Sequence, residues 1–281
     1  MNVLVTGATG HLGFYACRTI AEAGHAVRAT DREFRADPPV RVEIADLLDP
    51  PACYRLTEGV EAVVHLGNHP AFRGRDAQRV FNENMAMNMN VFQAAADIGV
   101  KKIIFASSVQ VISGNRDEHE PHHSAKCPPY LPMDGDVPPN PGNPYALSKQ
   151  LGELMLAYFA RQTGIVCVAI RFPWLVNDDH LVWIKANPPR SIGDRGEGFT
   201  FLHFQDAASL LQAVLRVPLT GFRVYFPASR DNRLCRPPTE VIREHFADTP
   251  LRRPLEQIDS LVDLSGIERE TGWLPKFSTL T

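Results

Sequence analysis

The chain opens with a short apolar run, Asn2-Val3-Leu4-Val5-Thr6, that passes directly into Gly7-Ala8-Thr9-Gly10-His11-Leu12-Gly13 and then into a helical pattern. Phe14, Ala16, Cys17, Ile20 and Ala21 recur at helical spacing until Gly24, which reads as a stop. Strand, glycine turn and helix in this order bring backbone N–H groups and a helix N-terminus against an anion such as a pyrophosphate. The spacing is G-x-x-G-x-x-G and departs from G-x-G-x-x-G, so a plain tight turn remains an alternative for the motif taken alone. A second strand candidate, 26–30, ends at Asp31. An acidic residue about 20 positions beyond the glycines accepts hydrogen bonds from a ribose and repels a 2′-phosphate, which favours NAD. Arg32, next in sequence, is able to hold that phosphate and keeps NADP as the second choice.

Strand signals recur over 3–7, 26–30, 41–45, 62–66, 101–106 and 166–171, with helical patterns between most of them. Such alternation predicts an α/β fold with a parallel sheet covered on both faces. Two polar, proline-containing intervals break the rhythm, 115–144 and 177–199. They read as long loops overhanging the carboxyl edge of the sheet, the second opening a substrate region. At 281 residues, 44% hydrophobic and 22% charged, the chain can bury a substantial core. Its net charge of −3 gives no basic surplus to attract nucleic acid or an anionic membrane, and no apolar run is long enough to span a bilayer. Cys17, Cys53, Cys127, Cys167 and Cys235 are scattered and odd in number, which reads as reduced thiols. With no secretory pattern at the first residues, a cytoplasmic location is expected.

The stretch Tyr145-Ala146-Leu147-Ser148-Lys149 places a phenol and an ammonium one helical turn apart on one face. A neighbouring cation favours the phenolate, so Tyr145 becomes a candidate acid/base near neutral pH. A solvated lysine beside a packed tyrosine gives the same pattern. Upstream, the apolar strand 101–106 ends in Ser107 and Ser108. If it is parallel to the first strand, both hydroxyls face the crevice of the glycine turn; ordinary strand-end capping is the alternative.

Together, the segments TGATGHLG (6–13), DR (31–32), ADL (45–47), HLGN (65–68), FASS (105–108) and PYALSK (144–149) resemble the extended short-chain dehydrogenase/reductases, and within them the NAD-dependent epimerase/dehydratase group. The resemblance continues through the strand carrying Ile170, Arg171 and Phe172, through 201–206, and through 263–265 and 271–277. It implies a doubly wound Rossmann sheet with a smaller C-terminal substrate-binding region. The division is 1–172 for the NAD-binding domain and 173–281 mainly for substrate, with 201–227 returning to the core. It implies that Ser108 holds the substrate oxygen, that Tyr145 donates or accepts the proton, and that Lys149 lowers its pKa while contacting the nicotinamide ribose. Cofactor contacts implied are Gly7, Thr9, Gly10, His11, Leu12, Gly13, Asp31, Arg32, Asp46, Leu47, Leu66, Gly67, Asn68, Asn84, Ser107, Tyr145, Lys149 and Phe172. The sequence departs from the group at Val111-Ile112-Ser113-Gly114 and at Arg171-Phe172-Pro173-Trp174, both near the expected substrate pocket.

The interval between Arg171 and Asp206 is short for a nucleotide-sugar enzyme, which points to a small sugar, sugar acid or polyol and to net hydride transfer. A nucleotide-sugar epimerase or dehydratase with tightly held NAD is the alternative, and a non-catalytic NAD(P)-sensing regulator a second. Arg190 and Arg195 are candidate partners for a substrate carboxylate or phosphate, beside Trp174 and Trp183. His119, His122, His123 and Cys127 lack a recognised ligand spacing, so no metal is expected. Met85, Met87 and Met89 alternate on a helix pattern over 81–95 and read as core or dimer packing. The resemblance implies a homodimer through that helix and the one at 145–161.

Overall fold

Strand residues alternate between two apolar clusters, and this alternation places the helices. A computed structural model describes residues 1–70, 76–113, 127–187 and 192–278. Val3 and Val5 of β1 (Asn2–Thr6) point into one cluster and Leu4 into the other; Ile104 and Ile103 of β5 (Lys102–Ser108) divide in the same way. A strand buried on both faces is what an apolar run without polar alternation encodes. One cluster is closed by α1 (His11–Glu22) and α6 (Phe204–Arg216). The other is closed by α2 (Pro50–Thr57), α3 (Ala77–Ile98) and α4 (Pro144–Thr163).

The remaining strands of the main sheet are β2 (Ala26–Asp31), β3 (Val42–Ile44), β4 (Ala62–His65), β6 (Val166–Phe172) and β9 (Phe222–Tyr225). All seven are parallel, in the order β3-β2-β1-β4-β5-β6-β9. The order reverses between β1 and β4, which opens a crevice beyond their carboxyl ends. β3 is shorter than the expected 41–45 because it is an edge strand with Ile44 facing solvent, so only one neighbour holds it.

Helix ends follow local chemistry. Asp76 caps α3 by accepting from the Gln78 and Arg79 amides, and Gly99 (φ 83°) ends it, so the helix extends beyond the expected 81–95 at both ends. Asn143 caps α4 through the Ala146 amide, with Pro144 at its first position. The interval expected as a loop from 177 instead begins with α5 (Asp178–Ala186). Its cause is a reciprocal cap: Asn177 accepts from the His180 amide while the His180 ring accepts from the Asn177 amide, with Asp178 and Asp179 in the first turn. Preceding it, β7 (Trp174–Val176) pairs with β8 (Phe201–His203) in a separate two-stranded sheet.

Residues 127–143 form no helix, and they lie along the carboxyl edge of the main sheet. Asn140 N–H bonds Val111 C=O at 2.7 Å, and a Cβ on Gly135 would collide with the Val224 carbonyl oxygen. Isolated bridges join Leu131 to Leu251 and Met133 to Val262, in the region that carries α7 (Pro238–His245) and α8 (Ser265–Thr271). The chain's closing segment returns to α6, where the Asp206 carboxylate accepts the Lys276 and Phe277 amides at 2.9 and 3.0 Å. Among the described residues no helix is long and apolar enough to cross a membrane.

Candidate active site

The glycine turn is built by close approach. Gly7 has φ +69° and would place a Cβ 2.7 Å from the Leu66 carbonyl carbon, while a Cβ on Gly13 would collide with the Gly7 carbonyl oxygen. The first turn of α1 is therefore pressed against the end of β1. Gly10 starts the helix without a side-chain cap, and no acidic residue lies in the first turn. The N–H groups of His11, Leu12 and Gly13 and the positive end of the helix dipole are thus left for an anion, which fits a dinucleotide's pyrophosphate. Asp31, at the end of β2, accepts from the Thr9 amide at 2.9 Å and from the Arg32 amide at 2.7 Å, which fixes its carboxylate beside the turn. The Arg32 side chain is half exposed and lies 3.9 Å from Glu33. Asp46 is exposed and turns back on the Leu48 amide, whereas Leu47 is buried against Gly67.

Beneath the turn, the Thr6 hydroxyl accepts the Leu66 and Gly67 amides and lies 2.7 Å from Nδ1 of His65. Nε2 of His65 lies 3.1 Å from the Asn88 carbonyl oxygen. Burial, with the Lys149 charge assisting, pushes this imidazole down to about 3. It is neutral at physiological pH, with Nε2–H donating to Asn88 and Nδ1 accepting from Thr6.

Ser107 and Ser108 end β5, and Ser108 stands in register with Phe172 of β6. Successive side chains point to opposite faces, so the two hydroxyls serve different partners. Ser107 donates to Glu153 Oε1 at 2.6 Å, while Ser108 accepts the Gln110 amide at 3.2 Å and meets the Tyr145 phenol. Asn84 braces the first turn of α4: its Nδ2 donates to Ser148 Oγ at 3.1 Å, and its Oδ1 accepts the His69 amide at 2.8 Å. Lys149 is buried, and its Nζ donates to Ala106 C=O at 2.7 Å and to Asn68 Oδ1 at 2.9 Å. It lies 5.7 Å from the centre of the Tyr145 ring.

The sequence reading expects Lys149 to bring the phenol toward neutrality. In the protein alone the net effect is the reverse. Burial pushes Tyr145 up to about 12, against the hydrogen bond from Ser108, and pushes Lys149 down to about 7. Both groups are desolvated, so each favours its uncharged form, and a lysine only partly protonated at neutral pH lends little field.

One feature of the site has no counterpart in the sequence reading. Glu153 and Arg171 form a buried two-point ion pair, with Nε to Oε1 at 2.9 Å and Nη2 to Oε2 at 2.8 Å. Nη1 of Arg171 donates to Val137 C=O at 2.7 Å, which ties the 131–140 segment to the ends of β5 and β6. The only sequence signal is Lys149 and Glu153 four residues apart, which reads as a surface helix pair.

Among the residues expected on the substrate side, Trp174 packs edge-on to Trp183 and lies beneath the Arg233 guanidinium, 5.4 Å away. Arg195, in the 3₁₀ turn Ile192–Glu197, keeps a buried Nε without a hydrogen-bond partner among the described residues. Arg190, His119, His122 and His123 lie outside the described residues. Cys127 is exposed, and among the described residues no group of acidic, histidine and cysteine side chains is placed to hold a metal.

The sequence profile of the NAD dependent epimerase/dehydratase family matches residues 3–176, which span every element just described from the glycine turn to β7. The chain belongs to that family. It is an NAD-dependent enzyme of the extended short-chain dehydrogenase/reductase type. A uronate dehydrogenase of Pseudomonas syringae pv. tomato is 32% identical to it over 240 residues, covering 83% of this chain and 75% of the relative. A NAD-dependent glucose-6-phosphate dehydrogenase of Haloferax volcanii is 28% identical, covering 82% and 86%. The fold matches the crystal structure of a UDP-glucose 4-epimerase from Thermotoga maritima with a TM-score of 0.72, at 19% identity and over 99% of this chain and 94% of that one.

Proposed function

We propose that the protein reversibly oxidises a carbinol carbon of a small sugar, sugar acid or related polyol. The observation that carries this reading is the buried group of Ser108, Tyr145 and Lys149 at the carboxyl edge of the sheet, beside a glycine turn whose helix end is left bare. Tyr145 takes the substrate's hydroxyl proton, Ser108 donates to the oxygen as negative charge develops, and Lys149 stabilises the phenolate. Bound NAD supplies the hydride acceptor and, in its oxidised ring, a positive charge. Gly7, Thr9, Gly10, His11, Leu12 and Gly13 would hold its pyrophosphate, Asp31 and Arg32 the adenosine ribose, and Asp46 and Leu47 the adenine. Leu66, Gly67, Asn68 and Phe172 would line the nicotinamide end, while Ser107 and Asn84 would support it from behind: the Ser107 hydroxyl turns to Glu153 and not to the crevice, and Asn84 is buried against Ser148 and His69. Asp31 favours NAD because a fixed carboxylate repels a 2′-phosphate.

Two of the relatives are named for sugars that carry an anionic group, a uronate and a sugar phosphate. Arg195 offers this chain a matching cation, since its buried Nε awaits an acceptor. The shortness of the interval between Arg171 and Asp206 supports a small substrate in preference to a nucleotide sugar. The same reading includes a homodimer formed through α3 and α4, supported by exposed Met89, Leu147, Leu154 and Tyr158. It also includes a cytoplasmic location, supported by five unpaired cysteines.

NAD reduction on a panel of neutral aldoses, uronates and sugar phosphates tests the proposal. Tyr145→Phe is expected to lower kcat/KM by about 10²- to 10⁴-fold, and turnover at the wild-type rate would exclude the acid/base role. Arg195→Gln is expected to raise KM for the anionic sugar by about ten-fold or more while leaving a neutral aldose unaffected; equal effects on both sink the anion assignment. An epimerase that keeps its NAD through the cycle is the competing reading, and near-stoichiometric NAD released on denaturing the purified protein would favour it.

A further inference from the structure

Lys149 reaches its buried position with three N–H donors when charged, and the fold provides two acceptors for them. One is a backbone carbonyl, Ala106, at 2.7 Å; the other is a side chain, Asn68 Oδ1, at 2.9 Å. Asn68 is itself fixed. Its Nδ2 donates to Gly67 C=O at 3.1 Å, its N–H to Leu66 C=O at 3.0 Å, and the next residue, His69, is held by Asn84. The orientation of the Asn68 amide is therefore set from behind, with its carbonyl oxygen toward the lysine. The other polar groups around Lys149 are committed elsewhere. On α4, Glu153 is paired with Arg171 of β6; on β4, His65 is neutral between Thr6 and Asn88; after β4, His69 is paired with Glu83 of α3. Among the described residues no carboxylate pairs with Lys149, so two carbonyl dipoles are what favours its charge against burial.

We propose that Asn68 is a positioning residue for the reaction, its side-chain carbonyl holding Lys149 as an ammonium beside Tyr145 and leaving the third N–H for the crevice. The proposal rests on the acid/base reading above. Tyr145 and Lys149 share protons: once one is lost, the pair is either phenol with neutral amine or phenolate with ammonium, and only in the second is Tyr145 itself ready to accept the substrate's proton. Burial favours the first form. Asn68 shifts the balance toward the second, because a hydrogen bond to the charged form of a group stabilises that form.

The test reads the lysine directly and turnover second. With six lysines in the chain, protein carrying ¹³C at lysine Cε gives few signals, and Lys149→Met identifies the one of interest. Wild type should titrate near 7. In Asn68→Ala the midpoint should fall by about one pH unit, and in Asn68→Asp, which keeps the oxygen and adds charge, it should rise. A midpoint unchanged in both variants overturns the proposal; should Asn68→Ala fail to fold, the Asp variant decides by the same criterion. In turnover at saturating NAD, with each kcat/KM profile scaled to its value on the acid side, where phenolate forms beside a lysine already charged, the wild-type and Asn68→Ala profiles should rise together at first. The variant should then level off about one pH unit earlier and about ten-fold lower. A structural or cofactor-contact role alone would change only the height of the profile, and a plateau reached at the wild-type pH counts against the proposal. If none of the sugars on the panel supports NAD reduction by the wild-type protein, the functional reading fails on its own, and the lysine titration still decides what Asn68 does.

Discussion

Lys149 is a residue that folding works against. It gives up water for two carbonyl oxygens, and its folded pKa drops from 10.5 to about 7. Between those values the unfolded chain binds a proton that the folded chain does not, so stability rises with pH across that window. The contribution is fully restored above 10.5 and is missing below about 7. Lys149→Met removes the titration. The stability of wild type measured against that variant is therefore expected to climb between about pH 7 and 10.5, by at most about 1.4 kcal/mol per pH unit, in urea unfolding at a series of pH values. A difference flat with pH would mean that the buried lysine keeps its charge. The sequence marks Tyr145 and Lys149 by spacing, but not the sign of their shifts, because desolvation depends on what the rest of the chain packs around them.

At the scale of elements, α4 and β6 are joined by a charge pair as well as by apolar packing. Gly152 lets the helix lie against the Phe105 ring, and one residue on, Glu153 meets Arg171. Arg171→Met leaves Glu153 as a buried unpaired carboxylate and frees Val137. The expected loss is about 3–5 kcal/mol, read by denaturant midpoints. Replacing both partners with apolar residues should recover part of it, and a single variant as stable as wild type would show the pair to be hydrated. The strands of this sheet were legible because two-sided burial writes uninterrupted apolar runs, Val3 to Val5 in β1, Ile103 to Ala106 in β5 and Val166 to Ile170 in β6. The first half of 177–199 reads as loop in sequence because the Asn177 cap and the two aspartates that start α5 are also loop residues. Nothing within α4 distinguishes Glu153 from a solvent-facing glutamate.

In the whole molecule, α3 and α4 pack against each other over the β4–β5 side of the sheet and leave an outer face carrying Met89, Leu147, Leu154 and Tyr158. Leu147, Leu154 and Tyr158 are seven and four residues apart, one stripe of a helix. If this face pairs two copies, Leu154→Glu should convert a dimer to a monomer in light scattering while leaving the circular dichroism unchanged. A wild-type monomer at micromolar concentration would remove the dimer from the proposal. The sequence by itself marked the first six strands of the main sheet and the glycine turn, and it singled out Asp31 and the Ser108, Tyr145 and Lys149 set; it did not mark β7, β8, β9 or α5. Each feature it marked is a local pattern whose period or spacing the backbone imposes. Only the tertiary structure decided that Asn68 and Ala106 hold Lys149, that Arg171 fastens the 131–140 segment, and that burial holds the phenol near 12. Those facts depend on residues 34 to 81 positions apart meeting in a medium without water, where a dipole or a charge counts for far more than its neighbours in sequence reveal.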